Sequence, residues 1–242
     1  MVLRTFLLAT AGIFALGSFV VASPAAAQTG EFDIFLNGAR VGNASYSFTS
    51  TAQGYDSTSI VRVALQGLDY SLSKTETLTS ANQLVHVLLS AVVNRQAVTA
   101  TADPQDGQVV LAIAASGRKT TTRLAAHPTA VMMPDFDPGA LETLLALAVE
   151  HNNRDLWAII PKKTGSVEPV QLTTYADEQG TLDGNTVAVH HLVATIAGTK
   201  ADLFSGADNR LLQAELPQQG FALVRTGFVL KPPAHAPAPP TQ

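Results

Sequence analysis

Apolar and polar residues alternate along most of this chain. In Ala44-Ser45-Tyr46-Ser47-Phe48-Thr49, the residues Ala44, Tyr46 and Phe48 share one face, while Asn43, Ser45, Ser47 and Thr49 share the other. A period of two marks a strand, and a polar second face marks an antiparallel sheet wet on one side. Phe32, Ile34 and Leu36 alternate in the same way just before it, and Asn37-Gly38 between the two runs predicts a tight hairpin.

The same rhythm continues. A turn is expected at Gln53–Asp56, and Val61, Val63 and Leu65 then fall in step. After Gly67, Tyr70, Leu72 and Leu78 share a face. Gln83–Val93, Gln96–Ala102, Val109–Ile113 and Thr120–Leu124 are further strands, with turns at Asp103–Gly107 and Ser116-Gly117. Later come Leu156–Ile160, Val170–Tyr175 and Val187–Ile196, the last with Val187, Val189, His191 and Val193 pointing one way. Lys200–Phe204, Leu211–Leu216 and Phe221–Val229 complete the set.

Only one segment changes period. Asp137-Pro138-Gly139 reads as an N-cap followed by proline at the first helical position. Leu141, Leu144, Leu145 and Ala148 follow at helical spacing, and Leu147 and Val149 widen the apolar surface almost all round. The helix is expected over about 138–151, ending at His151-Asn152-Asn153, with His151 placed to suit the helix dipole. A helix this apolar must be covered on most sides.

The expected fold class is therefore mainly β with one inserted helix. About ten or eleven strands form one long antiparallel sheet, which must curl at that size. Curling around the helix gives an open half-barrel over residues 28–230.

The two ends read differently. Met1–Arg4 is a short basic start, Thr5–Ala22 is almost wholly apolar, and Ala25-Ala26-Ala27 before Gln28 fits a signal peptidase site. Residues 1–27 are thus expected to be a cleaved signal peptide, with the cut between Ala27 and Gln28. No cysteine stands there, so lipid modification is not expected. An exported protein, periplasmic or secreted, follows. Lys231–Gln242 is rich in Pro and Ala and is expected to be a disordered tail.

Composition narrows the function classes. The 15 basic and 19 acidic residues give a charge of −4, or −5 without Arg4. A mildly acidic chain with scattered charge does not suit nucleic acid or an anionic membrane. There is no cysteine, which excludes disulfides, thiolate catalysis and Cys-based zinc sites.

Several phrases resemble a family of exported bacterial proteins carrying a domain of unknown function. Its relatives in shape are the periplasmic lipoprotein carriers and the outer-membrane lipoprotein receptor of the Lol system. "FDIFLNGARVGNASYSFTS" is similar to the family's opening hairpin, and "PDFDPGALETLLALAV" sits where the family has its helix. "TLDGNTVAVHHLVATIAG" and "DNRLLQAELPQQGFALVRTGF" are similar to its closing strands. The resemblance spans about Glu31–Val229. It implies a half-barrel with an apolar inner surface in the cell envelope, a shape that suits an acyl chain. This helix is more apolar and shorter than a mobile lid requires.

Residues that carry chemistry are sparse. His86, His127, His151, His190, His191 and His235 form no metal-ligating spacing, and the neighbours His190 and His191 point to opposite faces of one strand. Gly-x-Ser-x-Gly is absent, and Leu182-Asp183-Gly184 lacks the hydroxyl residue of an aspartic protease loop. Asp135 and Asp137 read as a loop charge and a helix cap. Lys74 and Glu76 share a face with Tyr70 and Leu72. They read as a strand end leaving the core, with a polar pair at a cavity mouth as the alternative. The candidate ligand-binding residues are Phe48, Tyr70, Phe136, Leu144 and Trp157, an apolar set. No catalytic residue, metal or cofactor is expected.

The expected function is non-enzymatic: an exported envelope protein that holds a lipid or other apolar molecule in the concave face of its sheet. The alternative is a structural or protein-interaction module with a filled core and an envelope protein as partner. A hydrolase is the distant third. Nucleic-acid binding and, after cleavage, membrane integration are not expected.

Overall fold

The computed structural model describes residues 28–231. The expected signal peptide and all of the expected tail except Lys231 lie outside the described residues. Lys231 still donates its backbone N–H to Gln179 O at 2.9 Å.

The protein is mainly β, with seventeen strands and one helix among the described residues. The first eight strands form a meander: β1 (Gln28–Leu36), β2 (Ala39–Thr51), β3 (Gly54–Leu65), β4 (Leu68–Thr79), β5 (Leu84–Val93), β6 (Gln96–Gln105), β7 (Gln108–Ala115) and β8 (Arg118–Ala125). Each pairs antiparallel with the next. The short β9 (Ala130–Met132) leads into the helix α1 (Pro138–Glu150). The chain then returns through β10 (Leu156–Ile160), β11 (Ser166–Thr174), β12 (Glu178–Leu182), β13 (Asn185–Ile196), β14 (Thr199–Gly206), β15 (Leu211–Leu216), β16 (Phe221–Arg225) and β17 (Phe228–Leu230).

Pairing of β1 with β16 joins the two halves, Ile34 opposite Leu223. From β16 the ladder runs back through β15, β14 and β13. β13 then forks: Asn185–Val189 pairs with β12, and Leu192–Ile196 with β11. The sheet ends at β8 on one side and β9 on the other. It is long and open and does not close into a barrel.

One expectation needs correction. The strand number is seventeen, not ten or eleven: fourteen strands fall on the segments singled out from the sequence, more than that total, β9 and β12 had no clear alternation, and Gly227 separates β17 from β16. The sheet is antiparallel as expected, with one local exception: β9 and β10 pair parallel, Ala158 opposite Val131. The intervening helix supplies the crossover that a parallel pair requires.

The hairpins follow from residues that tolerate left-handed backbone. Asn37-Gly38 has φ 49° and 82°, and Asp183-Gly184 has 49° and 82°. Two successive positive φ values match the twist of the flanking strands. The expected turn at Asp103–Gly107 is confined to Asp106-Gly107. Pro104 remains in β6, opposite Val109 and beyond the last pairing with β5. At such an edge proline is tolerated.

The alternation puts one face of the sheet inward. Phe32 and Ile34, Ala44 and Tyr46, Val61 and Val63, and Val109, Leu111 and Ile113 are all buried. Against them packs α1, whose Leu144, Leu145 and Leu147 are at most 2% exposed. Burying each such side chain contributes about 1.5–3 kcal/mol, so the helix is a plug in the core rather than a surface element. Its end is set as expected: Asn152 and Asn153 have φ 51° and 60°, a left-handed stop that asparagine accepts.

β14 and β15 are buried on both faces. Leu203, Leu211 and Ala214 belong to the main core, while Phe204 and Leu212 turn outward to join Val189 and Phe228 in a smaller cluster. The face of β13 that carries Val189 and His191 is therefore the outer one. Leu192, Ala194 and Ile196 face the main core.

Candidate functional site

The plug does not fill the whole concave side. Beside the N-terminal half of α1 lies a cavity of about 340 Å³. Leu141 and Leu144 of the helix form one wall, and Ile196, Leu203, Phe221 and Leu223 of the sheet form the other. Phe136, in the chain leading into the helix, closes one side. Lys162 and Asp135 also line the cavity, both largely exposed, paired at 2.8 Å.

Phe136 is held there by its backbone. Its φ is 59°, a conformation that a bulky residue adopts at a cost of about 1–3 kcal/mol. The ring meets Tyr70 edge-on at 6.1 Å and Phe221 at 4.9 Å. Tyr70 Oη donates to the Asp135 carbonyl at 3.4 Å. Burial raises the Tyr70 hydroxyl well above its ordinary value, and Asp135 and Asp137 add to the effect.

Under the start of the helix sits a buried ionic cluster. Asp137 Oδ1 caps α1, accepting from Gly139 N at 2.9 Å and Ala140 N at 3.2 Å. Its Oδ2 meets Lys74 Nζ at 2.7 Å, and Lys74 Nζ meets Glu76 Oε2 at 3.1 Å. All three side chains are at most 1% exposed. Burial disfavours the Lys74 ammonium, but attraction to Asp137 and Glu76 outweighs it and holds the lysine charged. Burial raises the Glu76 carboxyl above its ordinary value, although Lys74 opposes the shift. Ser57 lies opposite Glu76 and Ser59 opposite Lys74, and neither buried hydroxyl has a partner among the described residues. A side chain at Gly139 would run into Ser59 Oγ, so glycine lets the helix seat directly on the sheet.

This corrects the expectation for Lys74 and Glu76. Their strand end does not leave the core, for Leu78 beyond them is 2% exposed. They are also not at a cavity mouth. They tie the helix cap to the sheet, and of the three only Asp137 borders the cavity.

A second constellation lies on the other side of α1. Glu142 Oε1 accepts from Tyr46 Oη and from Leu211 N, joining helix, β2 and β15. Glu142 is 5% exposed, and burial pushes its carboxyl up to about 7 against the hydrogen bonds from Tyr46 and Leu211. Burial, with the Glu142 charge, in turn raises Tyr46. Sequence reasoning missed this pair. The signal was present, since Glu142 is the one charged residue between Pro138 and Val149 of a helix that must be covered. A buried carboxyl needs a partner.

The five candidate ligand residues do not converge. Phe136 and Leu144 line the apolar cavity. Tyr70 supports Phe136 from behind. Phe48 lines a different cavity, beside Glu142. Trp157 stacks on His127 at 3.6 Å between ring centroids, near-parallel at 11°.

The outer face holds His191 between Glu178 (3.2 Å) and Asp202 (2.9 Å), stacked on Tyr175 and Phe204. His190 points away, to Asp177. Among the described residues no group of three or more His, Asp or Glu is placed to hold a metal ion.

Fold and site together define a curled, open antiparallel sheet plugged by one helix, with an apolar cavity at the plug's N-terminal end. No family model, curated protein or solved structure matches the chain. No helix among the described residues is long and apolar enough to cross a membrane.

Proposed function

We propose that this protein is a non-enzymatic component of the cell envelope that holds an apolar molecule in the cavity beside α1. The observation that carries the reading is the cavity itself. A well-packed domain leaves few voids larger than a water molecule, yet this one keeps about 340 Å³ lined mainly by aliphatic and aromatic side chains. Ligand sites span roughly 300–1,000 Å³. The space therefore suits one short acyl chain or one compact apolar molecule, not several chains at once. Lys162 and Asp135 supply a polar edge that a head group can meet. The signal-like start of the sequence and the resemblance to an exported half-barrel family support the envelope setting.

Two measurements test the reading. Native mass spectrometry of the purified full chain is expected to show a co-purified apolar adduct. The neutral dye N-phenyl-1-naphthylamine is expected to fluoresce on binding and to be displaced by laurate. Ala201→Phe, which fills the cavity from its wall, is expected to weaken dye binding at least tenfold without lowering the melting temperature. A protein that is always empty and binds no dye is the filled-core interaction module instead.

A further inference from the structure

We propose that the cavity on the opposite side of α1, floored by Glu142, is a second and polar ligand site that takes a neutral polyhydroxylated ring, a saccharide. This inference does not depend on the apolar cavity.

The sheet creates the site by outrunning the helix. The inner face of β2 and β3 is covered by α1 at Tyr46 and Ser59, and its next rungs are Phe48 opposite Ser57 and Ser50 opposite Tyr55. Phe48 and Tyr55 therefore lie diagonally on one face at the uncovered end. The space before them measures about 470 Å³. Two turns bring amide side chains to it: Asn82 between β4 and β5, and Asn209 between β14 and β15. Both have left-handed backbone, with φ 54° and 60°.

The chemistry selects the ligand class. Phe48 and Tyr55 offer aromatic surface to an apolar C–H face, and the amides offer donors and acceptors to hydroxyls. Glu142 Oε1 is held by Tyr46 and Leu211 N, which fixes the carboxyl while Oε2 has no hydrogen bond among the described residues. The charges nearby oppose one another, because Arg210 Nε lies 3.4 Å from Asp208 Oδ2, and burial favours the neutral form of the Glu142 carboxyl. An anion or a cation gains little from such a field, whereas a neutral molecule rich in hydroxyls satisfies both halves of the lining.

The test is saturation-transfer NMR on the full chain with glucose, galactose, N-acetylglucosamine, maltose and cellobiose at millimolar concentration. At least one is expected to show transfer to its ring protons. Ser50→Trp, at an exposed position in the cavity wall, is expected to abolish that transfer while the circular dichroism and melting temperature stay unchanged. Phe48→Ala is expected to weaken binding at least tenfold. No transfer to any of the five sugars, transfer that survives Ser50→Trp, or stronger binding of glucose 6-phosphate than of glucose would each overturn the proposal. Dye binding in the apolar cavity is expected to be untouched by Ser50→Trp, so the two sites fail or stand separately.

Discussion

Replacing Lys74 with methionine isolates the buried cluster beneath the helix cap. The side chain is fully buried, and its ammonium lies 2.7 Å from Asp137 and 3.1 Å from Glu76. At 2.7 Å the direct attraction is about 6 kcal/mol for an effective dielectric constant of roughly 20. Desolvation of the two ions offsets most of that in the native protein, so the intact pair is worth little net. Removing one partner leaves the other's desolvation uncompensated, and Lys74→Met is expected to cost about 3–5 kcal/mol. Whole domains are stable by only about 5–15 kcal/mol, so the loss is large on that scale. Adding Asp137→Asn removes one of the two orphaned carboxylates and keeps a good N-cap, leaving Glu76, whose neutral form burial already favours. The double variant should recover part of the loss. The penalty of Lys74→Met should also shrink as the pH falls, because burial already raises the Glu76 carboxyl and a carboxyl that takes up a proton needs no counter-ion. Urea unfolding followed by fluorescence of Trp157, the only tryptophan, and by circular dichroism measures all of this. A loss below about 1 kcal/mol, a double variant no better than the single one, or a penalty that does not change with pH would refute the reasoning.

Further predictions concern the second constellation and the close packing of the sheet. Burial raises the Glu142 carboxyl to about 7 in the fold from its ordinary 4.5, so the native state holds a proton that the unfolded state releases. Its contribution is complete below about pH 4.5 and is lost as the pH rises to about 7, a loss of a few kcal/mol. The groups facing it are Tyr46, Arg210 and Arg225. Glu142→Gln keeps an acceptor for Tyr46 and Leu211 N and should flatten stability over pH 4.5–7, read from thermal melts across that range. Leu144→Ala should cost about 2–5 kcal/mol while admitting a bulkier dye to the apolar cavity, measured by urea unfolding and fluorescence titration. Gly42→Ala should cost about 1–3 kcal/mol, because its methyl group would run into the Arg62 carbonyl across the β2–β3 ladder; a neutral result in the same urea assay would show that the ladder yields there.

The fold was legible where burial is one-sided. β1 to β4 and β7 alternate because one face meets the main core and the other is more open to water, and a period of two then survives in the sequence. It fades where both faces are covered: Leu203, Phe204, Leu211 and Leu212 are all buried, so β14 and β15 read as runs. β9 and β12 are short: β9 pairs with β10 across the helix, while β12 pairs with β13 through the Asp183-Gly184 hairpin and with the distant β17, and neither is long enough to show a pattern of its own. The helix was legible in full, since Asp137, Pro138 and the paired asparagines at its end act locally.

The sites were less legible because a contact between remote strands leaves no spacing to find. Lys74 and Glu76 carry the same parity as Tyr70, Leu72 and Leu78, and five residues in phase argue that all five face inward. Expecting the two charged ones to escape weighed the cost of burying charge and left out the partner that offsets it. That partner, Asp137, is 63 residues beyond Lys74 and was assigned only the role of a cap. One carboxylate performs both tasks, with Oδ1 on the helix and Oδ2 on the lysine. The same logic extends to Glu142, whose partners Tyr46 and Leu211 come from opposite halves of the sheet. A charged residue in phase with a core stripe is therefore informative in its own right. It signals a second polar group elsewhere in the chain, and here the two such groups on the plug mark the edges of the two cavities that the plug leaves open.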